Sequence, residues 1–153
     1  HAAFLRVAEG CDHKCSFCAI PSWRGRFRSK SFDAVMEEAA SLCAGGATEL
    51  NLIAEDTNQW GQDFGRGDQR RLADLLRALA GLPSVRRIRL LYCYPSYFSD
   101  DLIEAIASID KVCKYIDMPL QHISDAVLGA MNRPPRRHTE ELIRRLRARI
   151  PGL

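Results

Sequence analysis

Three cysteines stand within eight residues near the start of the chain, in the run Gly10-Cys11-Asp12-His13-Lys14-Cys15-Ser16-Phe17-Cys18. The spacing is C-x3-C-x2-C, and the odd count directs the chemistry. Thiolates bind zinc and iron–sulfur clusters, and both usually take four protein ligands. Three thiolates on a cubane of four irons leave one iron without a protein ligand, free to be chelated by a small molecule. Two other uses of the same residues compete. A zinc knuckle would need His13 or a distant residue as fourth ligand. His13 lies only two residues after Cys11, where one metal would struggle to take all four groups tetrahedrally. A disulfide framework would need a denser pattern, because six cysteines in 153 residues are sparse for a secreted scaffold.

The elements that must position this loop are readable from periodicity. Phe4 to Ala8 reads as a short strand running into the cysteines. Ser31 reads as an N-cap for a helix with Val35, Met36, Ala39, Leu42 and Cys43 on its apolar face, stopped by Gly45-Gly46. Glu49–Ala54 is a second strand, and a polar loop with Gly61, Gly65 and Gly67 follows it. Leu72, Leu75, Leu76 and Leu79 fall at helical spacing before Gly81 and Pro83. Arg87–Tyr92 is a third strand, and Ser99 with Asp100 and Asp101 opens a third helix. Val112–Met118 is a fourth strand. Ser124-Asp125 begins a short helix, and Thr139-Glu140-Glu141 begins a last one that buries Leu142, Ile143, Leu146 and Ile150.

Strands alternating with helices predict an α/β fold with a parallel sheet and right-handed crossovers. Four units cannot close a barrel of eight. The radical S-adenosylmethionine enzymes, which the cysteine run resembles, use a partial barrel of six units. That resemblance implies a partial barrel cut before a fifth strand, with an apolar sheet edge left bare. Size fits one domain. Residues 1–30 carry six basic and two acidic side chains, and residues 133–149 carry seven arginines and two glutamates. Such basic ends suit an anionic partner such as RNA or a ribosome, and equally suit solvated helix faces. No signal peptide or bilayer-spanning apolar run is visible, and the cysteine usage suits a reduced compartment. The expected location is therefore cytoplasmic, without a membrane partner.

The cysteine spacing, with Phe17 before the third cysteine, resembles the radical S-adenosylmethionine (SAM) superfamily. The resemblance implies a [4Fe-4S] cluster on Cys11, Cys15 and Cys18, with the amino and carboxylate groups of SAM on the open iron. It implies a radical made by one-electron cleavage of the sulfonium. In such barrels function collects at the carboxyl ends of strands. Phe17 is placed to meet the adenine or to plug the barrel mouth. Ala54-Glu55-Asp56-Thr57-Asn58, after strand two, stands where the superfamily has its Gly-Gly-Glu motif. Glu55 or Asp56 would accept from the cofactor's ammonium, since an amine that still bears hydrogens needs an acceptor. Strand alternation lets only one of the two point inward. Gln121 would hydrogen-bond the ribose. His122 would relay a proton or cap the helix after it, and Tyr92 and Tyr94 would share one face near the mouth or fill the core. Cys43, Cys93 and Cys113 sit singly in apolar segments and serve as small hydrophobes. No catalytic side chain is assigned, because the cofactor carries the hard chemistry.

The longer run from Ala8 to Ser29, including Ile20-Pro21-Ser22-Trp23-Arg24-Gly25-Arg26-Phe27-Arg28, resembles the methylthiotransferases. So do Asn51-Leu52-Ile53-Ala54-Glu55-Asp56-Thr57 and Asp117-Met118-Pro119-Leu120-Gln121-His122-Ile123-Ser124-Asp125. Asp12 and Arg26 favour the branch that modifies an aspartate of a small-subunit ribosomal protein (RimO type). The branch acting on a transfer RNA adenosine (MiaB type) more usually has Asn and an acidic residue there. Glu55 departs from the Gln common in the family. The resemblance implies that residues 1–153 are the radical SAM core of a larger enzyme. An N-terminal domain with an auxiliary cluster and a C-terminal substrate-binding β-barrel would lie outside it. It also implies a reductant such as a flavodoxin or ferredoxin. The competing readings are the transfer RNA enzyme and, from another class, a non-catalytic zinc or nucleic-acid-binding module.

Overall fold

Four strands form one parallel sheet in the order β1-β4-β5-β6, in a computed structural model that describes residues 1–153. They are β1 (Ala2–Arg6), β4 (Glu49–Ile53), β5 (Arg87–Leu90) and β6 (Val112–Ile116). A second, antiparallel pair joins β2 (Ala8–Glu9) to β3 (Arg28–Ser29). The helices are α1 (Ile20–Arg24), α2 (Phe32–Ala44), α3 (Leu72–Ala80), α4 (Asp100–Ser108), α5 (Asp125–Ala130) and α6 (Arg136–Arg149), with a 3-10 turn at Thr57–Gln59. No helix is long and apolar enough to cross a membrane.

Local chemistry explains most of the boundaries. The Ser31 hydroxyl accepts from the Ala34 N–H at 3.4 Å to start α2, and that of Ser99 accepts from Leu102 at 3.2 Å to start α4. α2 ends at Gly45, followed by Gly46 in the left-handed region at φ 93°. Register sets the core. Leu5 pairs with Leu52 and Leu52 with Leu90, and this row is sealed beneath α2, α3 and α4. The neighbouring row, Phe4, Asn51 and Arg89, lies on the opposite face, where Asn51 and Arg89 are half-buried and Phe4 is 65 % exposed. On that open face Arg89 donates to Glu49 at 3.2 Å and lies over the Tyr115 ring. The β6 edge is also open. A groove of about 310 Å³ runs beside it, lined by Tyr115, Ile116, Met118, Leu120, Ile143 and Leu153.

Several strand and helix ends differ from the sequence expectation, and three of them change the reading. The first strand stops at Arg6, and Ala8–Glu9 leaves the sheet to pair with Arg28–Ser29. The third strand stops at Leu90, because Tyr92 takes a left-handed φ of 57° and breaks the alternation. Tyr92 and Tyr94 therefore do not share a face: Tyr92 is exposed and Tyr94 buried. The last helix begins at Arg136 after Pro135, with the Asp125 carboxylate accepting from the Arg136 N–H at 2.7 Å. Thr139 is a buried residue within that helix, not its cap. Leu142, Leu146 and Ile150 are buried as expected, while Ile143 is half-exposed in the groove.

Candidate functional site

The three-cysteine loop joins β2 to α1 at the carboxyl end of the sheet and is held from several sides. The β2–β3 pair closes its base, and the Cys11 N–H donates to the Gly25 carbonyl at 3.2 Å. Gly10 sits at φ 79°, where an added Cβ would lie 2.2 Å from the Arg26 carbonyl oxygen. Only glycine lets the strand turn into the loop there. The Asp12 carboxylate accepts from the Phe27 N–H at 3.2 Å and Arg26 Nε at 3.4 Å.

The segment after β4 provides the next support. Glu55 Oε2 accepts from the Gly10 N–H at 3.1 Å, and its Oε1 lies 3.9 Å from Arg24 Nε. Asp56 is fully buried. Its Oδ2 accepts from His13 Nε2 at 2.7 Å and its Oδ1 from the Tyr94 N–H at 3.4 Å. The His13 ring stacks on Tyr94 with centroids 3.6 Å apart. Thr57 Oγ1 donates to the Leu91 carbonyl at 2.6 Å, and Asn58 Nδ2 to the carbonyls of Tyr94 and Ser96. The run Asp56–Gln59, read from sequence as a polar loop, is therefore a buried bracket between the ends of β4 and β5.

The far end of the chain closes the other side. Asn132 Nδ2 donates to the Lys14 carbonyl at 2.7 Å, the Ser16 N–H to Met131 at 3.1 Å and Ser16 Oγ to Ala130 at 2.7 Å. Sequence reasoning missed these residues and Arg133, which touches Cys15. The one local signal was Asn132 ahead of Arg133-Pro134-Pro135, a turn pattern; it says nothing about a distant cysteine.

All six cysteines are free thiols. Cys11 is buried, while Cys15 and Cys18 are half-buried in a turn closed by Cys18 N–H to Cys15 carbonyl at 3.1 Å. Burial, above all, pushes the Cys11 thiol up, and the nearby Asp56, Cys15 and Cys18 add to this. A cation reverses such a balance by favouring thiolates. His13 is engaged by Asp56 and stacked on Tyr94, so it does not complete a knuckle. No group of three or more His, Cys, Asp or Glu converges to hold a single ion. A multi-iron cluster takes its thiolates one to an iron, whereas a mononuclear zinc site needs four donors on one ion.

The remaining candidates fall around the loop. Phe17 is 54 % exposed and plugs nothing. Glu55 lines a cavity of about 300 Å³ with Arg6, Ile20, Ile53, Ala54 and Tyr92, large enough for part of a nucleoside-sized ligand. Gln121 is exposed in a left-handed conformation at φ 68°. His122 Nδ1 accepts from the Ser124 N–H at 2.9 Å, a local helix-start contact. Cys93 is fully buried against the core, its thiol pushed strongly up by burial, and Cys43 packs partly buried against the same core. Cys113 is half-buried in β6.

Residues 5–153 match the radical SAM superfamily profile. The chain is 49 % identical to the ribosomal protein uS12 methylthiotransferase RimO of Heliobacterium modesticaldum. That match covers all of this chain and 33 % of the relative. It is 48 % identical to the protein of the same name from Geobacter sulfurreducens, over all of this chain and 34 % of that one. The chain thus spans about a third of the length of the curated relatives it matches. Among solved structures, it resembles the radical SAM methyltransferase TsrM from Kitasatospora setae, with a TM-score of 0.73 and 22 % identity. The match covers 97 % of this chain and 28 % of that one. A second structure of TsrM, with cobalamin and a [4Fe-4S] cluster bound, gives a TM-score of 0.71. These likenesses show the fold.

Proposed function

We propose, from the premise that the chain belongs to the radical SAM superfamily, that Cys11, Cys15 and Cys18 hold a [4Fe-4S] cluster whose open iron takes SAM. We further propose that the chain is the core of a methylthiotransferase that modifies an aspartate of a small-subunit ribosomal protein. One observation carries the cluster reading. Three free thiols share one loop that is held by hydrogen bonds at Gly10, Asp12, His13, Lys14 and Ser16, while His13 is engaged by Asp56. The substrate reading rests on the near-half identity to the RimO proteins and on Asp12 and Arg26. An auxiliary cluster and a substrate-binding barrel outside these residues, and a flavodoxin or ferredoxin as reductant, belong to the same proposal.

When bound, the cluster and SAM supply hydrogen-atom abstraction from an unactivated C–H bond, which has no proton acidic enough for a general base. The residues of this chain bind and orient. Glu55 lines the cavity beside the loop, and its Oε1, 3.9 Å from Arg24, has room to accept from the cofactor's ammonium. Asp56 is fully buried and both its oxygens already accept from the protein, so its task is to hold His13. The exposed ring of Phe17 is offered to the adenine and the exposed Gln121 amide to the ribose. The test is anaerobic reconstitution followed by iron and sulfide assay. About four of each per chain are expected, lost on replacing any of Cys11, Cys15 or Cys18 and kept when Cys43, Cys93 and Cys113 are replaced. Uptake of about one zinc without sulfide would overturn the reading. Mass spectrometry of the ribosomal protein and of transfer RNA, after incubation with the parent enzyme, separates the two substrates.

A further inference from the structure

We propose that Arg133 is a positioning residue for the three-cysteine loop, and that its positive charge against the Cys15 sulfur raises the reduction potential of the cluster held there. The proposal rests on the cluster reading above. Arg133 stands 118 positions beyond Cys15, yet its Nη1 lies 3.8 Å from Cys15 Sγ. Its Nη2 donates to the Pro119 carbonyl, and the guanidinium carbon lies 4.1 Å from the Tyr94 ring centroid. Its Nε is buried with no partner. The hydrogen bonds of this arginine go to a sulfur and a carbonyl rather than to a carboxylate, so its charge is not cancelled by a paired acid.

The three residues before Arg133 fix where it lies. Ala130 and Met131 accept from Ser16, and Asn132 donates to the Lys14 carbonyl, so Cys15 is bracketed on both sides by the turn that carries the arginine. Asn132 takes φ 53°, a left-handed value that asparagine tolerates. A solvated arginine needs none of this. A planar fork seated between a ring, a carbonyl and a thiol uses the geometry that distinguishes arginine from lysine. Reduction adds an electron to a cluster, and both a nearby cation and an N–H donor to a ligand sulfur stabilise the more negative form.

The test compares wild type, Arg133→Met and Arg133→Lys after anaerobic reconstitution. Iron and sulfide content, circular dichroism and an EPR-monitored redox titration are recorded for each. Arg133→Met keeps an apolar stem on Tyr94 and removes the charge. Its cluster is expected to titrate at a more negative potential, by about tenfold in the one-electron equilibrium, or ~59 mV. Arg133→Lys keeps the charge and returns the potential toward wild type. If Arg133→Met does not load, Arg133→Gln carries the same expectation. A loaded wild type whose loaded variants titrate at its own potential overturns this proposal alone. A wild type that takes up no iron and sulfide overturns the cluster reading and this proposal with it.

Discussion

Asp56 and Glu55 are neighbours in sequence, yet their oxygens face different tasks. Asp56 accepts from His13 and from the Tyr94 N–H with no exposure to solvent, whereas Glu55 accepts from Gly10 and also lines a cavity. Glu55→Gln keeps a carbonyl for the Gly10 N–H and removes the charge. It is expected to weaken SAM binding to the reconstituted protein by roughly ten- to a hundredfold with little change in melting temperature. Asp56→Asn is expected to lower stability by roughly 1–3 kcal/mol, because a buried charge-assisted contact is lost. Isothermal titration with SAM and thermal unfolding of both variants check this, and the opposite ranking would move the ammonium contact to Asp56. Sequence placed both carboxylates beside the cysteines but could not divide their roles. Alternation decides which residue points inward only while a strand continues, and β4 ends at Ile53.

At the scale of elements, the alternation of strand and helix was legible because each apolar stripe repeats over a few residues. The Leu72, Leu75, Leu76 and Leu79 face of α3 and the Ser99 cap of α4 need only local chemistry. The β2–β3 pair was not legible, since two-residue strands carry no periodicity, nor was the start of α6 behind Pro135. What ties α6 to its neighbour is electrostatic. Asp100 at the start of α4 accepts from Arg145 at 2.8 Å and Arg149 at 3.0 Å, and these hydrogen bonds hold its carboxyl below the usual range. A depressed folded pKa gives a contribution that is full above the unfolded value of about 3.9. It is lost as the pH falls through the folded value. The Asp100 side chain is 74 % exposed, so solvent screens the effect and keeps it small. Asp100→Asn should therefore melt slightly lower at neutral pH and show a flatter acid branch in a plot of melting temperature against pH. Acid branches that run parallel would mean that the pair contributes nothing.

At the scale of the whole molecule, the sheet is buried on one side and open on the other. Leu52 lies at the centre of the covered row, fully buried between Leu5 and Leu90, whereas Asn51 belongs to the open row beside Phe4 and Arg89. Leu52→Ala is expected to cost roughly 2–5 kcal/mol in urea unfolding. Asn51→Ala should stay within about 0.5 kcal/mol of wild type. Similar losses at both positions would mean that the open face is packed in solution. Residue types on the strands announced the covered face. They could not announce which distant turn closes over the cysteines, because that depends on where the chain returns 118 positions later.

That return also sets an order in time. The contacts that fix Lys14, Cys15 and Ser16 come from Ala130, Met131, Asn132 and Arg133, so they form late and close a long loop of chain. At translation rates of about 5–20 residues per second, the cysteines leave the ribosome on the order of ten seconds before the turn that will immobilise them. During that interval the three thiols lack the contacts from Ala130, Met131 and Asn132 that hold Lys14 and Ser16 in the folded chain. Whatever the three thiols bind, the contacts that fix Lys14 and Ser16 on either side of Cys15 are complete only once the Ala130–Asn132 turn has packed against them.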